Sequence, residues 1–155
     1  TFPTLHIPPI ESVGLIPTNY KEASSVFNLA MRKFKEALKF YIFDGFVTEH
    51  VNVMMDISLL FKDLTAFELD PKRKAAMHLR RTVPLEILLP QLNPKMFDAL
   101  CKQMTAELAE VYRTVLDIAV DGKHQQSKTR GYATSAIAHY SALTTSIGGG
   151  GSTDL

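Results

Sequence analysis

Cysteine is nearly missing from this chain. Cys101 stands alone, so no internal disulfide can form, which fits a reducing compartment. No apolar run reaches about 18 residues, so no membrane insertion is expected. No basic-then-apolar segment opens the chain in the manner of a secretory signal. The formal net charge is only +1, which excludes a polycation that seeks nucleic acid by bulk charge. No stretch shows sustained two-residue alternation bounded by hairpin turns, so no sheet is expected. The sequence contains no G-x-S-x-G, no P-loop and no G-x-G-x-x-G. The five histidines, His6, His50, His78, His124 and His139, lack the spacing of a zinc site. No cofactor, metal or enzymatic activity is expected from these residues.

What remains is 46% hydrophobic over 155 residues, enough to build one real core. The chain begins at Thr1 rather than Met, and is expected to be a piece of a longer protein. Residues 1–17 carry Pro3, Pro8, Pro9 and Pro17 among apolar residues such as Ile7 and Leu15, the pattern of an extended proline-rich arm. Gly148-Gly149-Gly150-Gly151-Ser152 makes residues 148–155 read as a flexible linker tail of engineered type. Residues 18–147 between them are expected to form a helical, repeat-like domain.

Periodicity predicts five long helices. The first begins at Asn19 or Tyr20, where Asn19 and Glu22 have capping-box spacing, and ends at Asp44-Gly45. The second runs from Val47 to about Leu69, with stripes on two sides, as in a helix sandwiched between neighbours. The third starts at Pro71 behind the cap Asp70, breaks or kinks near Thr82 to Pro84, and continues briefly to about Gln91. Asn93-Pro94 repeats the cap-plus-proline signal, so the fourth is expected to start there and close at Gly122. Its face is Phe97, Leu100, Cys101, Met104, Leu108, Val111, Val115 and Ile118, while Glu107, Glu110 and Asp117 are expected to be solvated. A polar loop spans Lys123 to Lys128. The fifth helix covers about Ser127 to Ile147 and should bury Ala133, Ala136, Ile137, Tyr140 and Leu143. Short connections make neighbours antiparallel. The fold class is therefore all-α, an antiparallel helix array resembling a fragment of a tetratricopeptide-repeat-like α-solenoid, without the full repeat consensus.

The third helix carries the candidate interaction residues. From Asp70 through Arg81 it holds five basic residues, and no acid falls within residues 71–81. A helical wheel puts Ala75, Ala76, Leu79 and Val83 on one side, as a core-facing stripe. Arg73, Lys74, His78, Arg80 and Arg81 fall on the other, as a cationic surface for an acidic partner. A merely solvated face explains the same pattern. No aromatic residue interleaves with the run, so stacking on single-stranded nucleic acid is not expected. Met54, Met55, Met77, Met96 and Met104 either fill the core or soften a binding groove. Cys101, on an apolar face, reads as a structural thiol.

Several ordered segments then resemble the kinesin-binding protein family. They are Ile16-Pro17-Thr18-Asn19-Tyr20-Lys21-Glu22-Ala23, Asp44 through Val51, Leu59-Leu60-Phe61-Lys62, Phe67 through Arg81, and Leu92-Asn93-Pro94. The similarity spans about residues 15–147 and corresponds to the C-terminal portion of a much longer chain. The resemblance implies a non-enzymatic, repeat-like helical scaffold in the cytoplasm, associated with the cytoskeleton. It implies binding to kinesin motor domains or another cytoskeletal protein, blockage of microtubule attachment, and control of axonal or ciliary transport. The alternative reading is a general helical adaptor that holds a peptide or partner helix in an apolar groove.

Overall fold

Helix α1 (Tyr20–Phe40) starts at its capping residue. Asn19 Oδ1 accepts from the Glu22 N–H at 3.0 Å, and Glu22 Oε2 accepts from the backbone N–H and hydroxyl of Thr18. These reciprocal bonds satisfy donors that a first helical turn leaves unpaired. The computed structural model describes residues 16–121 and 126–148, and all regular structure among them is helical. After α1 come α2 (Val47–Thr65), α3 (Pro71–Leu88) with a short 3-10 turn at Leu89–Gln91, α4 (Asp98–Asp121) and α5 (Gln126–Gly148). Each helix packs on the next in chain order, and α4 also reaches α2. Residues 1–15 of the expected arm over 1–17, residues 149–155 of the expected tail over 148–155 and the closing Gly122 lie outside the described residues, while Gly148 belongs to α5.

The first four helices form two hairpins in one register. The caps Asn19 and Asp70, the helix starts Tyr20 and Pro71, and the starts Val47 and Asp98 are each 51 positions apart. The corners repeat too. Gly45 and Phe46 donate to Ile42 O, as Met96 and Phe97 donate to Asn93 O, 51 residues later. The buried positions of α3, including Met77, His78, Arg81 and Leu85, correspond to Val26, Phe27, Ala30 and Phe34 of α1, which are half-buried. Among the described residues α1 has a helix on one side only, whereas α3 lies between α2 and α4. A unit of 51 residues is longer than the 34 or so of a tetratricopeptide repeat.

Several boundaries differ from the sequence expectation. Helix α2 stops at Thr65 rather than near Leu69, because Ala66, Phe67 and Glu68 donate back three residues and tighten the chain out of the helix. Helix α1 ends at Phe40, before Asp44-Gly45. Of the expected break or kink near Pro84, no break occurs, and the helix runs through to Leu88. An internal proline costs about 3 kcal/mol. Leu85 and Leu88, buried just beyond it, each return about 1.5–3 kcal/mol and hold the helix together. Pro94 does not begin α4. Asn93 Oδ1 accepts from Lys95 N at 3.0 Å, so the cap closes a tight turn and the helix starts at Asp98. Gln126, expected as loop, already belongs to α5, and Ser127 and Lys128, where the expected loop and fifth helix overlap, are helical.

The core has two apolar parts. Val51, Met55, Leu85, Leu88, Leu92, Met104 and Leu108 form the larger, where α2, α3 and α4 meet. Ala23, Leu64 and Met77 form the smaller, beside Tyr20, Phe27 and Phe67. The expected face of α4 is inside at Met104, Leu108, Val111 and Val115, while Leu100, Cys101 and Ile118 are half-buried. On α5 Ala136 is buried, but Ile137 and Tyr140 are exposed, because among the described helices α5 packs on α4 alone.

Candidate functional site

The basic run of α3 is divided by its fold into two unlike groups. Asp70 Oδ1 accepts from the Lys72 N–H at 3.1 Å, which sets the rotation of the first turn. That rotation turns Met77, His78, Arg81, Thr82, Leu85 and Leu88 inward. Arg73 and Arg80 are exposed and Lys74 is half-buried. The five cations expected on one solvent face are therefore not together there. His78 and Arg81 lie inside, while of the stripe expected to enter the core Ala75 and Leu79 are only half-buried and Ala76 and Val83 are exposed.

Arg81 is the largest buried side chain, at 2% exposure. Its Nε–H donates to Ser58 Oγ at 3.1 Å, its Nη1–H donates to His78 Nδ1 at 2.8 Å, and its Nη2 pairs with Glu107 Oε1. Ser58 in turn donates to Glu107 Oε1 at 2.7 Å. A guanidinium cannot accept, so His78 Nδ1 carries no proton and the ring is the neutral Nε2–H tautomer. Burial first, then the charges of Arg81, Lys74 and Lys62, push the His78 pKa down to about 4. Each member of the network thus has a partner, the condition for tolerating a buried charge. Ser58 lies between Met55 and Leu64 along α2, and Arg81 between Met77 and Leu85 along α3, so the network separates the two apolar cores. It ties α2, α3 and α4 at one point.

Glu107 corrects the expectation of an outer acidic row on α4. It is nearly buried against Arg81, whereas Glu110 and Asp117 pair at the surface with Arg113. Nothing in the local sequence separates Glu107 from its solvated neighbours. For Arg81 a signal was present: Met77, Arg81, Leu85 and Leu88 share helical spacing, and that stripe is the buried one.

Outside, Arg73 Nε lies 3.1 Å from Glu68 Oε2, near enough for an ion pair though not aligned for a hydrogen bond. Its guanidinium also stands 5.5 Å from the Tyr20 ring centroid, a cation–π distance. Glu68 precedes the helix, so the run is partly neutralised from a loop. Lys72, Lys74 and Arg80 have no ion-pair partner among the described residues. Beside them, α3 and α5 both lean on α4 without touching each other, leaving a groove of about 430 Å³. Ala75, Ala76, Leu79, Ala119 and Tyr132 line it, with Lys72 and Lys128 on opposite walls.

The arrangement suits binding by charge and apolar contact. The described residues hold no group of three potential metal ligands. Burial pushes the Cys101 thiol up, away from the thiolate that nucleophilic or metal-binding chemistry needs. His50 Nδ1–H donates to Tyr41 O at 2.7 Å and pins the α1–α2 corner. No helix among the described residues is long and apolar enough to cross a membrane.

Comparison with known proteins adds a relationship. Residues 10–154 match the family described as KIF-1 binding protein C terminal. The chain is 33% identical over 141 residues to the KIF-binding protein of Rattus norvegicus, covering 86% of this chain and 23% of the relative. It is 39% identical over 106 residues to that of Homo sapiens, covering 68% and 17%. The KIF-binding protein of Dictyostelium discoideum is 28% identical over 104 residues. The matched region is thus under a quarter of the length of these relatives. No solved structure matches.

Proposed function

Because this chain belongs to the KIF-1 binding protein C-terminal family, we propose that it is a non-enzymatic binding module for kinesin motor domains. The observation that carries this reading is the family match across residues 10–154. In this reading the chain hinders attachment of the motor to microtubules and so affects axonal or ciliary transport. It works in the cytoplasm with the cytoskeleton, and neither nucleic acid nor membrane is its partner. The exposed cations Arg73, Lys74 and Arg80 attract an acidic surface of the partner. His78 and Arg81 contribute from within, by holding α3 in the orientation that presents them.

Long-range attraction of this kind acts mainly on association rate and weakens with salt. The test is association of purified kinesin motor domains with the chain and with Arg73→Glu/Lys74→Glu/Arg80→Glu, at two ionic strengths. Slower association of the variant at low salt, with helical content intact, is the expected result. Equal rates would return these side chains to a solvated face. Failure of every motor domain to bind would remove the kinesin reading itself. The open groove between α3 and α5 favours a second reading, a helical adaptor with a different protein partner.

A further inference from the structure

We propose that the groove between α3 and α5 seats an acidic amphipathic helix of a partner protein. The inference rests on the binding-module reading, but not on kinesin as the partner. It starts from the face of α3 that sequence periodicity assigns to the core and the fold leaves outside. Ala76, Leu79, Val83 and Ile87 recur at three or four residues along that face. Val83 and Ile87 are 55% and 60% exposed. A helix apolar enough to be read as core on one side, and buried by Leu85 and Leu88 on the other, has more apolar surface than its neighbours cover.

The groove continues that stripe toward the N-terminal end of α3. Its alanines, Ala75, Ala76 and Ala119, allow close approach of another helix, and Leu79 and Tyr132 supply contact area. Its volume of about 430 Å³ accommodates a few side chains rather than a whole ligand. An amphipathic helix that presents apolar residues every three or four positions matches both the depth and the stripe.

Charge selects the sign of the occupant. Lys72 and Lys128 are exposed on opposite walls, and neither has an ion-pair partner among the described residues. Helices α3 and α5 both begin at this end and carry no acid in their first turns, unlike α1, α2 and α4. The Asp70 carboxylate caps the α3 end, so the positive charge at this end of the groove comes from the two lysine ammonium groups. Two acids are near in sequence: Asp70 accepts from the Lys72 backbone N–H as the α3 cap, Asp121 stands two residues beyond Ala119, and neither pairs with the Lys72 or Lys128 ammonium group. An acidic flank on the incoming helix completes the site, and a basic one is repelled.

The experiment uses the chain with two fluorescent peptides of about 18 residues, long enough to hold a helix. Both carry leucine at every third and fourth position, one with glutamate elsewhere and the other with lysine. The glutamate peptide is expected to bind and the lysine peptide to bind about tenfold or more weakly. Lys72→Glu/Lys128→Glu should reverse that preference. Val83→Glu/Ile87→Glu, at exposed positions, should weaken the glutamate peptide by about tenfold with helical content unchanged. Equal binding of the two peptides, no binding of either, or variants that change nothing would each overturn the proposal. The same variants are then titrated with motor domains. Motor binding that ignores them, together with a silent peptide assay, removes the groove and keeps the kinesin reading. Peptide binding without any motor binding does the opposite.

Discussion

The two faces of α3 invert the usual distribution of side chains. Inside are an arginine, a histidine and a threonine among leucines and a methionine; outside are Val83 and Ile87. The inner face is polar where it meets Ser58 and Glu107, because three helices converge there and each side chain of the network has a partner. On the outer face Val83 and Ile87 are exposed beside the cations Arg73 and Arg80. Polarity alone does not tell which side of a helix is buried. What decides is whether the neighbouring helices supply partners.

The largest expected effect comes from breaking the inner face. Arg81→Ala leaves Glu107 buried without its partner and should destabilise the fold by about 3–5 kcal/mol in a denaturant titration. The double variant Arg81→Met/Glu107→Leu should cost much less than the sum of its two single variants, because neither charge is left behind. If the double variant is as damaging as that sum, the network is not the unit described here.

A purely apolar neighbour calibrates that loss. Leu108→Ala, at the centre of the larger core, should cost about 2–5 kcal/mol through lost transfer energy and the cavity left behind. A cost under about 0.5 kcal/mol would place that face of α4 in solvent.

Acid should weaken the inner face without any mutation. The folded pKa of His78 is lowered to about 4, below its unfolded value near 6.5. The unfolded chain therefore binds the proton more readily, so stability falls as pH drops from about 6.5 toward 4, by up to about 3 kcal/mol. His78→Gln keeps an acceptor available to Arg81 and cannot titrate. Its stability between pH 7 and pH 4 should be flatter than that of the parent chain, and an identical slope would assign the acid sensitivity elsewhere.

The smallest effect belongs to the outer face. Val83→Glu and Ile87→Glu should each shift stability by less than about 0.5 kcal/mol, since both positions are already in water. A larger loss would mean that the stripe is covered within the folded chain, and the contrast between the faces would vanish.

Helix by helix, much of the array was legible. Asn19 and Asp70 cap where they stand, because a cap is a bond between residues two or three apart, and such bonds are written locally. The face of α4 was legible at Met104, Leu108, Val111 and Val115, because one amphipathic stripe reports one core. Pro94 misled, since the same Asn93 cap that signals a helix start here closes a tight turn ahead of one, and Pro84 did not end α3, because Leu85 and Leu88 beyond it pack in the core. The candidate interaction residues fared the same way. Their identity and spacing were plain, but which of them faced out was not. An exposed arginine and a buried one differ only in whether another helix brings a carboxylate. Glu107 is 26 residues away from Arg81 in the chain, and no local pattern links them. Local order fixed the five helices, the caps Asn19 and Asp70 and the apolar stripe of α4, since these depend on neighbours a few residues apart. The burial of Arg81, the exposure of Val83 and Ile87 and the gap between α3 and α5 over α4 follow from contacts between residues distant in the chain.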